Sequence, residues 1–258
     1  MTRESVLVFD IETIPDLDGG RRLLDLAGLG DDEVAQAMIS QRMQAKGTDF
    51  QPAHLHRVVA ISVALRSGDD FRVWSLGDET SSEAELVKRF FDGIERYKPT
   101  LVSWNGGGFD LPVLHYRALI HGVTAKTYWD TGYFDREAKW NSYIGRYQFR
   151  HTDLMDVLAL YQPRNNAPLN EVAQLLGLPG KLGMDGSKVF DAWRTGQIRE
   201  IRAYCETDVL NTYLIYLRFQ LMRGHLSDQD HIAEIALARK FLASADAKHW
   251  AEFGSLWK

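Results

Sequence analysis

The stretch RAYCETDVLNTYLIYLRF, residues 202–219, reads as the core face of a helix interrupted by a carboxylate. At about 3.6 residues per turn, Ile201, Cys205, Asp208, Thr212, Ile215 and Phe219 share one arc, with Tyr204 one turn before Asp208 on the same side. A helix of this kind needs a sizeable core around it, and a chain of 258 residues, 45% hydrophobic, can supply one within a single large domain. A buried charge needs a partner or a metal ion. No Lys or Arg lies on the arc, and the nearest, Arg218, falls to the side. An ion pair from elsewhere in the fold and a metal-ligand role are both compatible with Asp208.

Two further segments carry acids in unusual places. In SVLVFDIE, residues 5–12, strand alternation sets Val6, Val8, Asp10 and Glu12 on one face and Leu7, Phe9 and Ile11 on the other. Acids at a strand end are common, so this pair alone decides nothing. In WNGGGFD, residues 104–110, three glycines let the chain turn sharply from strand to helix, and Asp110 suits either an N-cap or a ligand. Neither this loop nor GLPGKLG at 177–183 has the spacing of a phosphate-binding P-loop.

The remaining pattern predicts a mixed-sheet α/β or α+β chain, strands first and helices later. After Pro15 a helical insertion runs to about residue 50. RVVAISVAL and FRVWSL flank a Gly-Asp turn as a hairpin, a helix follows over 82–97, KPTLVSWN is a strand, and FDLPVLHYRALIHG is a helix. Helices are expected at 152–161, 169–176, 187–195, 197–222 and 228–242, with a short C-terminal piece. The formal charge of −5 gives no global attraction for an anion, so an anionic partner needs local cations or metal ions. A single cysteine, Cys205, excludes an internal disulfide, and the apolar runs are too short for a signal peptide or a membrane span; a cytoplasmic protein that touches no membrane is expected.

If Asp10, Glu12, Asp110 and Asp208 converge, their mutual repulsion calls for divalent cations, and oxygen ligands favour Mg²⁺ or Mn²⁺. Two such ions roughly 3.5–4 Å apart are suited to displacement at phosphorus. A phosphodiester substrate is then expected.

FDIET at 9–13, NGGGFD at 105–110 and YCETDV at 204–209 together resemble the three exonuclease motifs of the DEDD superfamily. These are the DnaQ-like 3'-5' exonucleases on a ribonuclease H-like fold, and the group related to the proofreading domain of family B DNA polymerases is most similar. HTDLMDVL and LNEVAQLLGL also resemble segments between the second and third motifs. The resemblance implies a ribonuclease H-like sheet flanked by helices over residues 1–258, two Mg²⁺ or Mn²⁺ ions on the four acids, and hydrolysis from a single-stranded DNA or RNA 3' end. It also implies that Tyr204 orients the attacking water, as in the tyrosine subtype; the histidine subtype would need His at position 203, which is Ala.

Substrate contacts are expected from Asn105 and Phe109 in the second motif, from Arg146 and Arg150 in the aromatic and basic segment 126–150, and from Lys181. Lys188 is a weaker candidate of the same kind. His151 and Asp153 read as local capping groups, His54 and His56 as structural or exposed, and Cys205 as a small hydrophobe. A chain of this length has no room for a polymerase domain, so any proofreading would be in trans, with replication or repair proteins as partners. A non-catalytic nucleic-acid-binding module and a ribonuclease H-like endonuclease are the competing expectations; four clustered acids weigh against the first and Tyr204 against the second.

Overall fold

The computed structural model describes residues 5–258. Its centre is β1 (Val6–Pro15), whose alternating side chains face two different cores. Two helices, α1 (Leu17–Leu23) and α2 (Asp31–Lys46), follow as the expected insertion, closed by Leu17, Val34 and Met38. The hairpin β2 (His56–Ser67) and β3 (Asp70–Ser75) comes next, with β2 antiparallel to β1. After α3 (Glu83–Tyr97), β4 (Thr100–Ser103) pairs parallel to β1, α4 (Asp110–His121) crosses back, and β5 (His151–Asp153) pairs parallel to β4. The sheet order is β3-β2-β1-β4-β5.

The C-terminal part is helical: α5 (Leu154–Leu158), α6 (Leu169–Leu175), α7 (Val189–Arg194), α8 (Ile198–Met222), α9 (Asp228–Ser244) and α10 (Lys248–Leu256). One expectation needs correction. The helix foreseen over 152–161 starts instead as β5, because Thr152 is buried in register with Val102, and Asp153 ends the strand by capping α5. Only Leu154–Leu158 is helical there.

Leu7, Phe9 and Ile11 pack with Phe90, Ile94 and Leu114 from α3 and α4. Val8 packs with Val209, Leu210 and Tyr213 of α8 on the other face. The period of two then carries Asp10 and Glu12 onto the α8 side. α8 is buried well beyond one arc, since Leu210, Tyr213, Leu214 and Leu217 are enclosed as well as Ile215 and Phe219. Its outer side is covered by α6, α9 and α10, which makes it a core helix rather than an amphipathic surface one.

Two buried ion-pair networks fasten outlying parts. Arg117 of α4 donates to Glu83 (2.7 and 2.5 Å) and to Asp16 (2.5 Å), the residue that caps α1. Arg66 of β2 donates to Glu234 of α9 at 2.7 and 2.9 Å, and Tyr213 donates to the same carboxylate. Among the described residues, no helix is long and apolar enough to cross a membrane.

Candidate active site

The sheet explains how four acids from three segments meet. β4 pairs with β1 only from Val6 to Val8, so the Ile11 N–H beyond it needs another acceptor. The Asp110 Oδ1 takes that place at 3.2 Å, bringing the start of α4 against the strand that carries Asp10 and Glu12. Asp110 is not the helix cap foreseen as one of its roles; Phe109 holds the cap position without a side-chain bond, and Asp110 is the first helical residue. A bulge between Glu12 and Thr13 ends the regular register next to the acids. Across the sheet, Cys205 of α8 points its Sγ at the Asp10 carbonyl and carboxylate, at 3.4 and 3.5 Å. Asp208, one turn later, faces the same acids.

The electrostatics follow from this crowding. Burial, followed by Asp110 and Asp208, pushes the Asp10 carboxyl well above the usual range; burial, followed by Asp10, does the same to Glu12. Burial lifts Asp110 to about 7. It lifts Asp208 to about 6, against the opposing effects of the Tyr204 hydroxyl bond and the Lys181 charge. Burial and Asp208 drive the Tyr204 phenol far upward, so it remains a protonated donor. Burial, followed by Asp10, likewise pushes the Cys205 thiol up, so in the metal-free protein it is a protonated donor.

One oxygen of Asp208, Oδ1, is buried with no hydrogen-bond partner. Ligand atoms of Asp10, Glu12 and Cys205 lie within 4.8 Å of one another. Hard carboxylate oxygens, an orphaned acceptor and uncompensated negative charge fit a divalent cation of the Mg²⁺ class.

Of the substrate-contact candidates, Lys181 acts on the acids, Phe109 adjoins Asp110, and Asn105 lies at the turn that precedes them. Asn105 adopts a left-handed conformation (φ 66°) at the turn, which Asp153 holds by accepting from Asn105 N (2.9 Å) and Gly107 N (2.8 Å). Phe109 adjoins Asp110 and packs on Phe50 and His56, with centroids 5.2 and 4.9 Å away. Lys181 sits with its Nζ 5.7 Å from the Tyr204 ring centre and favours ionisation of Asp10, Glu12 and Asp208.

The other two lie elsewhere. Arg146 pairs with Asp156 at 2.9 Å on the β5 side of the turn. Arg150 precedes β5, donates to the Lys98 carbonyl at 2.7 Å and covers Tyr143. It is therefore at the opposite end of the parallel strands from the acids. Lys188 is exposed and pairs with Asp185 at 3.2 Å. His151 bonds Ser103 at 2.8 Å, in keeping with a local role.

Of three nearby residues, His56 takes the structural role that is one of its two expected readings, and the roles of Phe50 and Asn211 are ones that sequence reasoning misses. His56 is buried and bonds Thr13 Oγ1 at 2.8 Å and the Gln51 carbonyl at 2.9 Å, which fixes the chain just after Glu12. Phe50, at the end of the insertion, is exposed beside Phe109. Asn211, three residues after Asp208, is fully buried and exchanges bonds with the Gly180 backbone at 3.3 and 2.9 Å, anchoring the segment that carries Lys181. A polar residue three after an anomalous Asp, in an apolar run, is the available signal for the last.

Residues 48–257 match the sequence profile of a family described as predicted 3'-5' exonucleases related to the exonuclease domain of PolB. Asp10 and Glu12 precede the matched range. The chain is 26% identical over 149 residues to the catalytic chain of DNA polymerase epsilon from Saccharomyces cerevisiae, covering 54% of this chain and 6% of that protein. It is 25% identical over 169 residues to a DNA polymerase of Archaeoglobus fulgidus, covering 65% and 21%. The chain thus spans about a fifth or less of these relatives. The family B DNA polymerase of Pyrobaculum calidifontis shares the fold, with a TM-score of 0.51 at 19% identity, over 98% of this chain and 27% of that one.

Proposed function

The chain belongs to the family of predicted 3'-5' exonucleases related to the exonuclease domain of PolB, and from that we propose that it removes nucleotides from the 3' end of a single strand by metal-dependent phosphodiester hydrolysis. The observation that carries this reading is the buried, unpartnered Oδ1 of Asp208 amid three further carboxylates. Asp10, Glu12, Asp110 and Asp208 would hold two Mg²⁺ or Mn²⁺ ions. When bound, such ions lower the pKa of water to supply a nucleophile and stabilise the departing 3' oxygen.

The chain's own groups supply position. Tyr204, kept protonated, donates to Asp208 and would orient the attacking water through its hydroxyl. Lys181 offsets part of the negative field that would repel a phosphodiester. Phe109 offers an aromatic face to the terminal base, and Asn105 a polar side chain at the turn. The relatives' names favour DNA over RNA as the strand.

A 3'-labelled single-stranded oligonucleotide should be shortened from its labelled end in Mg²⁺ or Mn²⁺ and remain whole in EDTA, while a circular single strand stays intact. Tyr204→Phe should lower kcat at least tenfold with metal affinity and melting temperature held. Cleavage of the circle would establish an endonuclease instead, and binding without shortening would establish a non-catalytic module.

A further inference from the structure

Register sets three polar residues in one row across the sheet: Asp10 of β1 lies opposite Ser62 of β2, and Ser62 lies opposite Ser75 of β3. Residues directly opposite share a face, which here is the one that α8 covers. Consecutive residues of α8 meet the two ends of the row. Cys205 points its Sγ at Asp10 Oδ2 at 3.5 Å, and Glu206 Oε1 accepts from Ser75 Oγ at 2.6 Å and from Ser75 N at 2.9 Å. Between them the Ser62 and Ser75 hydroxyls lie 2.9 Å apart, and Ser62 bonds the Cys205 thiol. The other oxygen of Glu206, Oε2, bonds His249 Nε2 of α10 at 2.9 Å.

The direction of each bond in the row follows from the protons available. Glu206 Oε1 already accepts the Ser75 N–H, so it accepts the Ser75 hydroxyl as well, and Ser75 has no second proton to give. The contact between the two serines therefore takes its proton from Ser62. That leaves Ser62 with a lone pair, and no proton, for the sulfur. If Ser62 donated to the thiol instead, two hydroxyl oxygens would face each other at 2.9 Å with no hydrogen between them. Both serines are buried, so such a fault would carry the full cost of an unmade bond. The single thiol proton of Cys205 thus faces Ser62 on one side and Asp10 on the other.

Resting on the proposed exonuclease reading, we propose that Glu206, Ser75 and Ser62 form a relay that holds the Cys205 proton off Asp10 Oδ2 and leaves that oxygen free to ligate a cation. Glu206 is then a positioning residue, which acts on Asp10 through three other side chains. Its carboxylate is directed at Ser75 and His249 instead of adding to the crowded field of Asp10, Asp110 and Asp208. Because His249 holds the outer oxygen, the last helix of the chain is tied to a ligand on its first strand. A row of this kind works only when every member is satisfied, since its polarity is passed from one hydroxyl to the next.

Cys205 is the only cysteine of the chain, so an infrared spectrum in EDTA reports its S–H stretch alone. Ser62→Ala should shift that band as the proton turns to Asp10. Ser75→Ala should shift it in the same direction, although Ser75 bonds neither Cys205 nor Asp10, because Ser62 is then free to donate to the sulfur. Glu206→Gln keeps an acceptor at Oε1 and should leave the band in place. The Kd for Mn²⁺, read from the spin-resonance signal of the free ion, should rise about threefold in either serine variant, the worth of one weak hydrogen bond, and hold in Glu206→Gln. In a Cys205→Ala background neither serine change should alter it, an outcome that a purely structural role of the serines would not give. A band unmoved by both serine variants, an unchanged or tighter Kd, or an equal loss without the thiol overturns the relay; tighter binding would mean that the thiol serves Asp10 by favouring its ionised form. The expected shifts with every oligonucleotide left whole in Mg²⁺ and Mn²⁺ support the relay and overturn the exonuclease reading, whereas shortening with band and Kd unmoved overturns the relay alone.

Discussion

Replacing Asp208 by Asn should stabilise the metal-free protein, by an amount that grows from about pH 4 to about pH 6 and is constant above it. The folded carboxyl ionises near 6, against 3.8 for the ordinary side chain. Between those values the folded chain holds a proton that the unfolded chain has released, so wild-type stability falls as pH rises through the window. At 1.36 kcal/mol per unit, the ionised form costs about 3 kcal/mol at pH 8. Asn keeps an acceptor for Tyr204 and carries no charge. With a kcal/mol equivalent to about 2–4 °C in a domain of this size, the variant should melt about 6–12 °C higher at pH 8 in EDTA and level with wild type near pH 4.

His115 and His151 work in the opposite direction, since their lowered values make acid destabilising, but both proteins contain them and the difference cancels. Melting curves at pH 4, 6 and 8, each with EDTA or millimolar Mg²⁺, provide the measurement. Metal should recover the wild type at pH 8, by about 2.7 kcal/mol at a hundred times Kd, and leave the variant almost unmoved. A gap of equal size at every pH, or a variant that melts below wild type at pH 8 without metal, would refute charge crowding as the source of the strain.

Arg117→Met should cost about 3 kcal/mol, read as a lower urea midpoint, because it leaves Glu83 and Asp16 buried without their shared cation; a loss under about 1 kcal/mol would mean that those acids find other partners. Gly106→Ala should destabilise by about 1–3 kcal/mol, since a Cβ there would overlap the Ser103 side chain and press on Phe9. A thermal melt within a degree of wild type would show that the turn can relax.

The alternation of SVLVFDIE is sufficient to place Asp10 and Glu12 on one face, and that face is the α8 side because Val8 anchors it there. Asp208 stands out because α8 is apolar around it. β5 is hidden because three residues, His151 to Asp153, are too short to show a period, and their strand character comes from pairing with β4. Arg146 and Arg150 belong to one compositional segment, yet they end in different surroundings, one on Asp156 and the other on the Lys98 carbonyl, and composition cannot divide them. Phe50 reaches Phe109 only through the tertiary course of the insertion, in which Arg42 of α2 holds the Phe50 carbonyl at 2.9 Å. Contacts between distant segments leave no local signature.

The bond from Ile11 to Asp110 spans 99 positions, and that from Cys205 to Asp10 spans 195. No local folding event can assemble this cluster. The first strand must wait for a helix made some two hundred residues later, and closing so long a loop before its contacts reward it is slow. A partly synthesised or partly folded chain therefore carries four scattered, ordinary carboxylates. The cluster is complete only while α8 is docked on β1, and on the proposed reading any hydrolytic capacity would come and go with that contact.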